Sequence, residues 1–118
     1  MTPGEIKGKI QGAYTSAMSN RSMQMSRGSN IHYLFRETRL YGRDAGTDFV
    51  ETNLGQIVQE AVSMAECRSP SLEIPAHGFG RAAVEGMAQA LRDLTDLNVD
   101  VSASGLRLVW AVPKPGLA

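Results

Sequence analysis

A strand, a glycine turn and the start of a helix follow without interruption in Ser71-Leu72-Glu73-Ile74-Pro75-Ala76-His77-Gly78-Phe79-Gly80-Arg81-Ala82-Ala83-Val84-Glu85-Gly86-Met87. No other stretch constrains the fold as much. Leu72 and Ile74 alternate with Glu73, the period of a strand with one buried face. Gly78 and Gly80 bracket Phe79, and a helical pattern begins at Arg81. A strand running through Gly-x-Gly into a helix aims unpaired backbone N–H groups and the positive helix end at one spot. Arg81 adds a fixed charge there, so the turn is a candidate phosphate cradle. The alternative is that the glycines only let helix and sheet approach closely, because Gly-x-Gly without its wider fingerprint is a weak nucleotide signal.

The rest of the chain flanks this unit. Thr2 can cap a helix with Pro3 in its first position and Glu5 three residues after the cap. Ile6, Ile10, Ala13 and Ala17 recur at helical spacing, predicting a helix over about residues 3–18. Its apolar stripe is thin and interrupted by Gly8 and Gly12, so residues 1–30 read as a helix-and-linker arm that packs less tightly than the body. From Ser19 to Asn30 the pattern is lost among serine, asparagine and glycine, with Met23 and Met25 available to dock on a core or a neighbour.

Residues 31–41 are rich in strand formers, with Ile31, Tyr33 and Phe35 on one face and His32, Leu34 and Arg36 on the other. Residues 42–46 read as a loop. Asp48, with Glu51 three residues on, then predicts a capped helix to about Glu66, striped by Val50, Leu54, Ile57, Val58, Ala61, Val62 and Ala65. The helix after the glycine turn extends to about Leu97, and Val99–Val101 and Leu106–Val112 read as a closing hairpin. The expected architecture is an α+β (α/β) domain over residues 31–118, preceded by the N-terminal helix. It would be a small mixed four-stranded sheet with two helices on one face, in the order β-α-β-α-β-β. Leu54, Ile57, Val58, Ala61, Leu72, Ile74, Val84, Leu91, Val99, Leu108 and Trp110 are its expected core.

Charge divides the chain. Residues 1–43 carry seven lysines and arginines against two glutamates, and residues 44–104 carry three arginines against ten acids, within a net charge of zero. A basic arm on an acidic body is one interpretation, mutual neutralisation across one fold the other. Arg36, Arg39 and Arg43 interleave with Tyr33 and Tyr41, a composition suited to stacking on bases beside phosphate contacts, or to a solvated edge strand. With Arg27, Gly78, Gly80 and Arg81 they form the candidate nucleic-acid-binding set.

Catalytic chemistry finds little to work with. The histidines are His32 and His77, the cysteine is Cys67, and no metal-ligand spacing or nucleophile–base pairing is visible. An enzyme is not expected, and neither a cofactor nor a metal is called for. No apolar run approaches the roughly 18 residues of a membrane span. A single cysteine and the lack of an apolar leader fit a reducing compartment, the cytoplasm or the mitochondrial matrix.

The order strand, helix, strand, helix, strand, strand over residues 31–115 resembles the C-terminal domain of translation initiation factor three and the Alba family of nucleic-acid-binding proteins. The resemblance is carried by Leu72-Glu73-Ile74 leading into Gly80-Arg81-Ala82, and by the stretch from Gly105 to Pro113 followed by Lys114. The turn Gly78-Phe79-Gly80-Arg81-Ala82-Ala83 is also similar to that of the eleventh small-subunit ribosomal protein family, whose RNA-rich C-terminal signature is absent. These resemblances imply contact with structured RNA, within a ribonucleoprotein such as the ribosome. The expected function is a non-enzymatic RNA-associated subunit that also meets protein neighbours through its N-terminal helix and linker. The alternative is a protein–protein adaptor, assembly or inhibitor subunit without nucleic-acid contact.

Overall fold

The computed structural model describes residues 2–19, 39–75, 78–102 and 105–111. They form α1 (Pro3–Ser19), α2 (Arg43–Glu66), β1 (Ser71–Pro75), α3 (Arg81–Thr95), β2 (Asn98–Ser102) and β3 (Gly105–Val109).

Helix α1 starts as its sequence dictates. The Glu5 N–H donates to Thr2 Oγ1 and the Thr2 N–H donates back to Glu5 Oε1, both at 3.2 Å, a reciprocal capping box. The backbone hydrogen bond from Thr2, and then the one from its hydroxyl, hold the Glu5 carboxyl below its ordinary 4.5. Contrary to the expected loosely packed arm, Ile6 and Ile10 are buried in the main core, Ile10 completely. Two isoleucines one turn apart present enough apolar surface to close the groove left by α2 and α3, and α1 packs on those two helices. At its far end Arg68 Nε donates to the Ala17 carbonyl at 3.1 Å, occupying one of the acceptors a helix C-terminus leaves open.

The sheet order is β1-β3-β2, antiparallel throughout. This differs from the expected mixed four-stranded sheet. Among the described residues there are three strands. Most of the predicted first strand, residues 31–38, lies outside the described residues, and Leu40 makes an isolated parallel bridge to Phe79 rather than joining the sheet. β1 and β2 run parallel to each other with β3 inserted between them, so α3 is the crossover of a split β-α-β unit. Leu72, Leu108 and Val99 align in one row and Ile74 and Leu106 in the next, all buried in the core, while Val101, which ends the second row on β2, is exposed. On the other face Arg107 lies between Glu73 and Asp100 and donates to Glu73 Oε1 at 2.8 Å. Gly105, with φ of 151°, opens β3 at an angle that disfavours any side chain. Beyond β3, buried Trp110 donates through Nε1 to the Ser69 carbonyl at 2.8 Å, tying the sheet to the loop after α2.

Two helix boundaries also differ. α2 begins at Arg43, five residues before the expected Asp48 cap, and its N-cap is Gly42. Gly46, read from sequence as loop, is buried inside the helix. A Cβ there would overlap the backbone carbonyl of Ala83, and one on Gly86 would overlap that of Arg43. The two glycines therefore let α2 and α3 cross backbone to backbone, and Thr47 Oγ1 reaches the Gly86 carbonyl at 3.4 Å. α3 stops at Thr95, where Asp96 turns into the left-handed region at φ 56°. Of the expected core only Leu54 is not fully enclosed; it is partly buried against the cluster. No helix among the described residues is long and apolar enough to cross a membrane.

Candidate nucleic-acid interface

The close crossing of α2 and α3 sets the N-termini of both helices side by side. The two segments that sequence singled out, 39–43 and 78–81, thereby become neighbours. The Gly80 N–H donates to the Leu40 carbonyl at 2.7 Å beside the Leu40–Phe79 bridge. Phe79, between the two glycines, packs edge-on against Phe49 of α2 with ring centroids 6.1 Å apart. Its aromatic ring anchors the turn to the neighbouring helix. Gly80 answers the choice between cradle and spacer in part: a Cβ there would lie 3.3 Å from the Cα and O of Tyr41, so this glycine permits a close approach, to a chain segment rather than to the sheet.

Both helices begin in the same way. Each N-cap is a glycine in extended conformation, Gly42 and Gly80, and neither contributes a side-chain hydrogen bond. Each first helical residue is an arginine, Arg43 and Arg81. α2 carries Asp44 in its first turn, whereas α3 has no acid there. A cation at a helix N-terminus opposes the macrodipole by about 0.3–1 kcal/mol, and glycine forgoes the hydrogen bond that Ser, Thr, Asp or Asn would make. Choices that lower helix stability are repeated at two adjacent ends.

The arginines share one counter-ion. Arg43 Nη1 lies 3.8 Å from Glu85 Oε2, and Arg81 Nε lies 3.4 Å from Glu85 Oε1, so each carboxylate oxygen faces a different guanidinium. All three side chains are open to solvent, Arg81 at 93% exposure. Tyr41 stands beside them, 70% exposed. Arg39 is exposed just ahead of the bridge. Three cations, an open aromatic face and two helix ends therefore occupy one corner, set against Glu85 and Asp44.

Of the seven candidate residues, the fold brings Arg39, Arg43, Gly78, Gly80 and Arg81 to this corner. Arg27 and Arg36 lie outside the described residues, as do His32 and His77. The convergence of two helix ends and the role of Glu85 were not foreseen. Sequence offered no distinctive signal for them: Gly86 lies inside a helical pattern, but so do Gly8, Gly12 and Gly55, where a Cβ would meet open space, and Gly46 lies in a stretch that reads as loop. Cys67 is a free, partly buried thiol at the end of α2. Among the described residues no three His, Cys, Asp or Glu side chains are grouped as metal ligands would be. An apolar groove of about 660 Å³ runs between α1 and α2, lined among others by Ile6, Lys9, Leu54, Val58 and Val62.

No protein-family model matches the chain, and no curated protein or solved structure is similar to it.

Proposed function

We propose that this protein is a non-enzymatic, RNA-associated subunit of a larger ribonucleoprotein assembly, and that it meets RNA phosphates at the corner where α2 and α3 begin. The observation that carries this is the pairing of two arginine-led helix N-termini without side-chain caps, flanked by Arg39 and the exposed ring of Tyr41. Residues that weaken a helix locally are explained when a ligand compensates for them, and an anion does so here through both the arginines and the helix dipoles. Phosphate contacts would supply affinity and the Tyr41 face would stack on an unpaired base, the combination that single-stranded RNA offers. The resemblance of the glycine turn to RNA-binding families points the same way.

Fluorescence anisotropy with a labelled single-stranded RNA tests this. Affinity should fall as salt rises from 50 to 200 mM. Each phosphate contact on a single strand contributes about 0.7 to the slope of log K against log salt, so three arginines account for about a 20-fold loss over that range. Replacing Arg39, Arg43 and Arg81 together by glutamine should weaken binding at 50 mM and flatten the slope by about 2. Equal binding by parent and variant would refute the assignment of the site.

A second reading, a protein–protein adaptor, is favoured by the groove between α1 and α2. Helix α1 is part of the core and not a free arm, so a protein neighbour would meet its Lys9 flank and the adjacent face of α2. A largely apolar contact there would hardly respond to salt, which separates it from the RNA site in the same titration.

A further inference from the structure

We infer that Glu85 is a built-in competitor for the phosphate site, a carboxylate that occupies the arginines until RNA displaces it. This rests on the RNA reading above and adds how the site is regulated. The geometry is that of a stand-in anion: one carboxylate with an oxygen to Arg43 at 3.8 Å and the other to Arg81 at 3.4 Å. Its place is fixed by the fold. Glu85 is one turn after Arg81 on α3, and the next residue, Gly86, packs against the backbone of Arg43 on α2. The carboxylate is thus carried on the rigid helix crossing to the point between the two guanidiniums.

The hold is weak enough to be displaced. Exposed ion pairs are worth a factor of about 1.4 to 5 each, because water screens them and long side chains lose freedom in forming them. A backbone phosphate carries the same single charge on two non-bridging oxygens, so it can take both arginines from Glu85 as the carboxylate does. The released glutamate then repels it. Binding by one isolated phosphate is therefore nearly balanced, and a run of phosphates that also engages Arg39 is favoured. Glu85 would reject small anions and keep RNA.

The test compares Glu85→Gln, Glu85→Asp and Asp44→Asn with the parent, using a 5′-fluorescein-labelled 12-residue oligouridylate at 50 mM salt. Circular dichroism verifies that each variant is folded. Glu85→Gln should bind about threefold to tenfold tighter. Glu85→Asp keeps the charge but is one methylene too short to face both arginines, and should fall between parent and Glu85→Gln. Asp44→Asn removes an equal charge from the first turn of α2 and should stay within about twofold of the parent. In an Arg43→Gln/Arg81→Gln background the gain from Glu85→Gln should disappear, the signature of a direct coupling. If the parent binds but Glu85→Gln binds no more tightly than Asp44→Asn, or Glu85→Asp equals the parent, the competitor role is refuted and the RNA site stands. If neither the parent nor Glu85→Gln binds at 50 mM salt, both are refuted.

Discussion

Five of the six glycines in the described helices give one substitution with two opposite outcomes. Gly8, Gly12 and Gly55 have open space where a Cβ would go. Alanine at each should therefore realise its intrinsic helix advantage of up to about 1 kcal/mol. At Gly46 and Gly86 the same Cβ would strike backbone, the Ala83 carbonyl in one case and the Arg43 carbonyl in the other. No flexible side chain can swing away, so α2 and α3 must separate and forfeit packing along their length. Overpacking of this kind costs about 1–3 kcal/mol and more when the obstacle is rigid. With the helix-propensity gain subtracted, Gly46→Ala and Gly86→Ala should each destabilise by about 2 kcal/mol. Unfolding entropy of about 2.1 cal/mol/K per residue makes 1 kcal/mol about 4 °C here. Thermal melts followed by circular dichroism should thus fall by about 8 °C for each crossing variant and rise by up to about 4 °C for Gly8→Ala, Gly12→Ala or Gly55→Ala. The double variant at 46 and 86 should lose less than the two singles combined, since helices already parted tolerate the second methyl. A Gly46→Ala protein that melts at or above the parent would refute the backbone-to-backbone crossing, and with it the juxtaposition of the arginines.

Two further outcomes follow from the core and the capping box. Ile10→Ala and Leu91→Ala, both at completely buried positions, should each lose about 2–5 kcal/mol in urea unfolding, and a loss below about 0.5 kcal/mol for Ile10→Ala would return α1 to the status of a loose arm. Because folding lowers the Glu5 pKa, its stabilising contribution is complete above pH 4.5 and is lost as pH falls through the lowered folded value. NMR titration should place that carboxyl below 4.5 in the parent and return it toward 4.5 in Thr2→Ala, and an unchanged midpoint would refute the reciprocal cap.

What sequence revealed was local. The Thr2–Glu5 box, the turn at residues 78–80 and the alternation in β1 each depend on residues a few positions apart, and each is present. What it hid depended on partners distant in the chain. Gly46 looked like a loop residue because its reason for being glycine is Ala83, 37 positions away. Asp48 looked like a cap because Ser, Thr, Asp and Asn usually are, while the helix in fact begins on Gly42, whose cap makes no side-chain bond. The thin stripe of Ile6 and Ile10 read as a loosely packed helical arm, yet two isoleucines suffice to bury it when a groove between two other helices is waiting. The expected mixed four-stranded sheet was not matched for the same reason. Which strand lies between β1 and β2 is decided by the antiparallel fit of β3 to both, and no local signal states it.

Among the described residues, the arginine corner and the groove between α1 and α2 are compatible because one rigid element carries both. Helix α2 has 24 residues, and at about 1.5 Å per residue its length is roughly 36 Å. Its N-terminus presents Arg43 to the arginine corner. The face that lines the groove with α1 begins at Leu54 and runs to Glu66, which puts it about 16–35 Å along the axis from Arg43. At 0.1 M salt the Debye length is about 10 Å, so a partner's exposed charge at the groove is largely screened from the arginines. Apolar contact at one end and phosphate contact at the other can then be made together and tuned separately. On the proposed RNA reading, a subunit between RNA and a protein neighbour would use such an arrangement, and the chain's zero net charge is consistent with it: bulk attraction to RNA is absent, and local geometry at the helix ends would have to supply the binding.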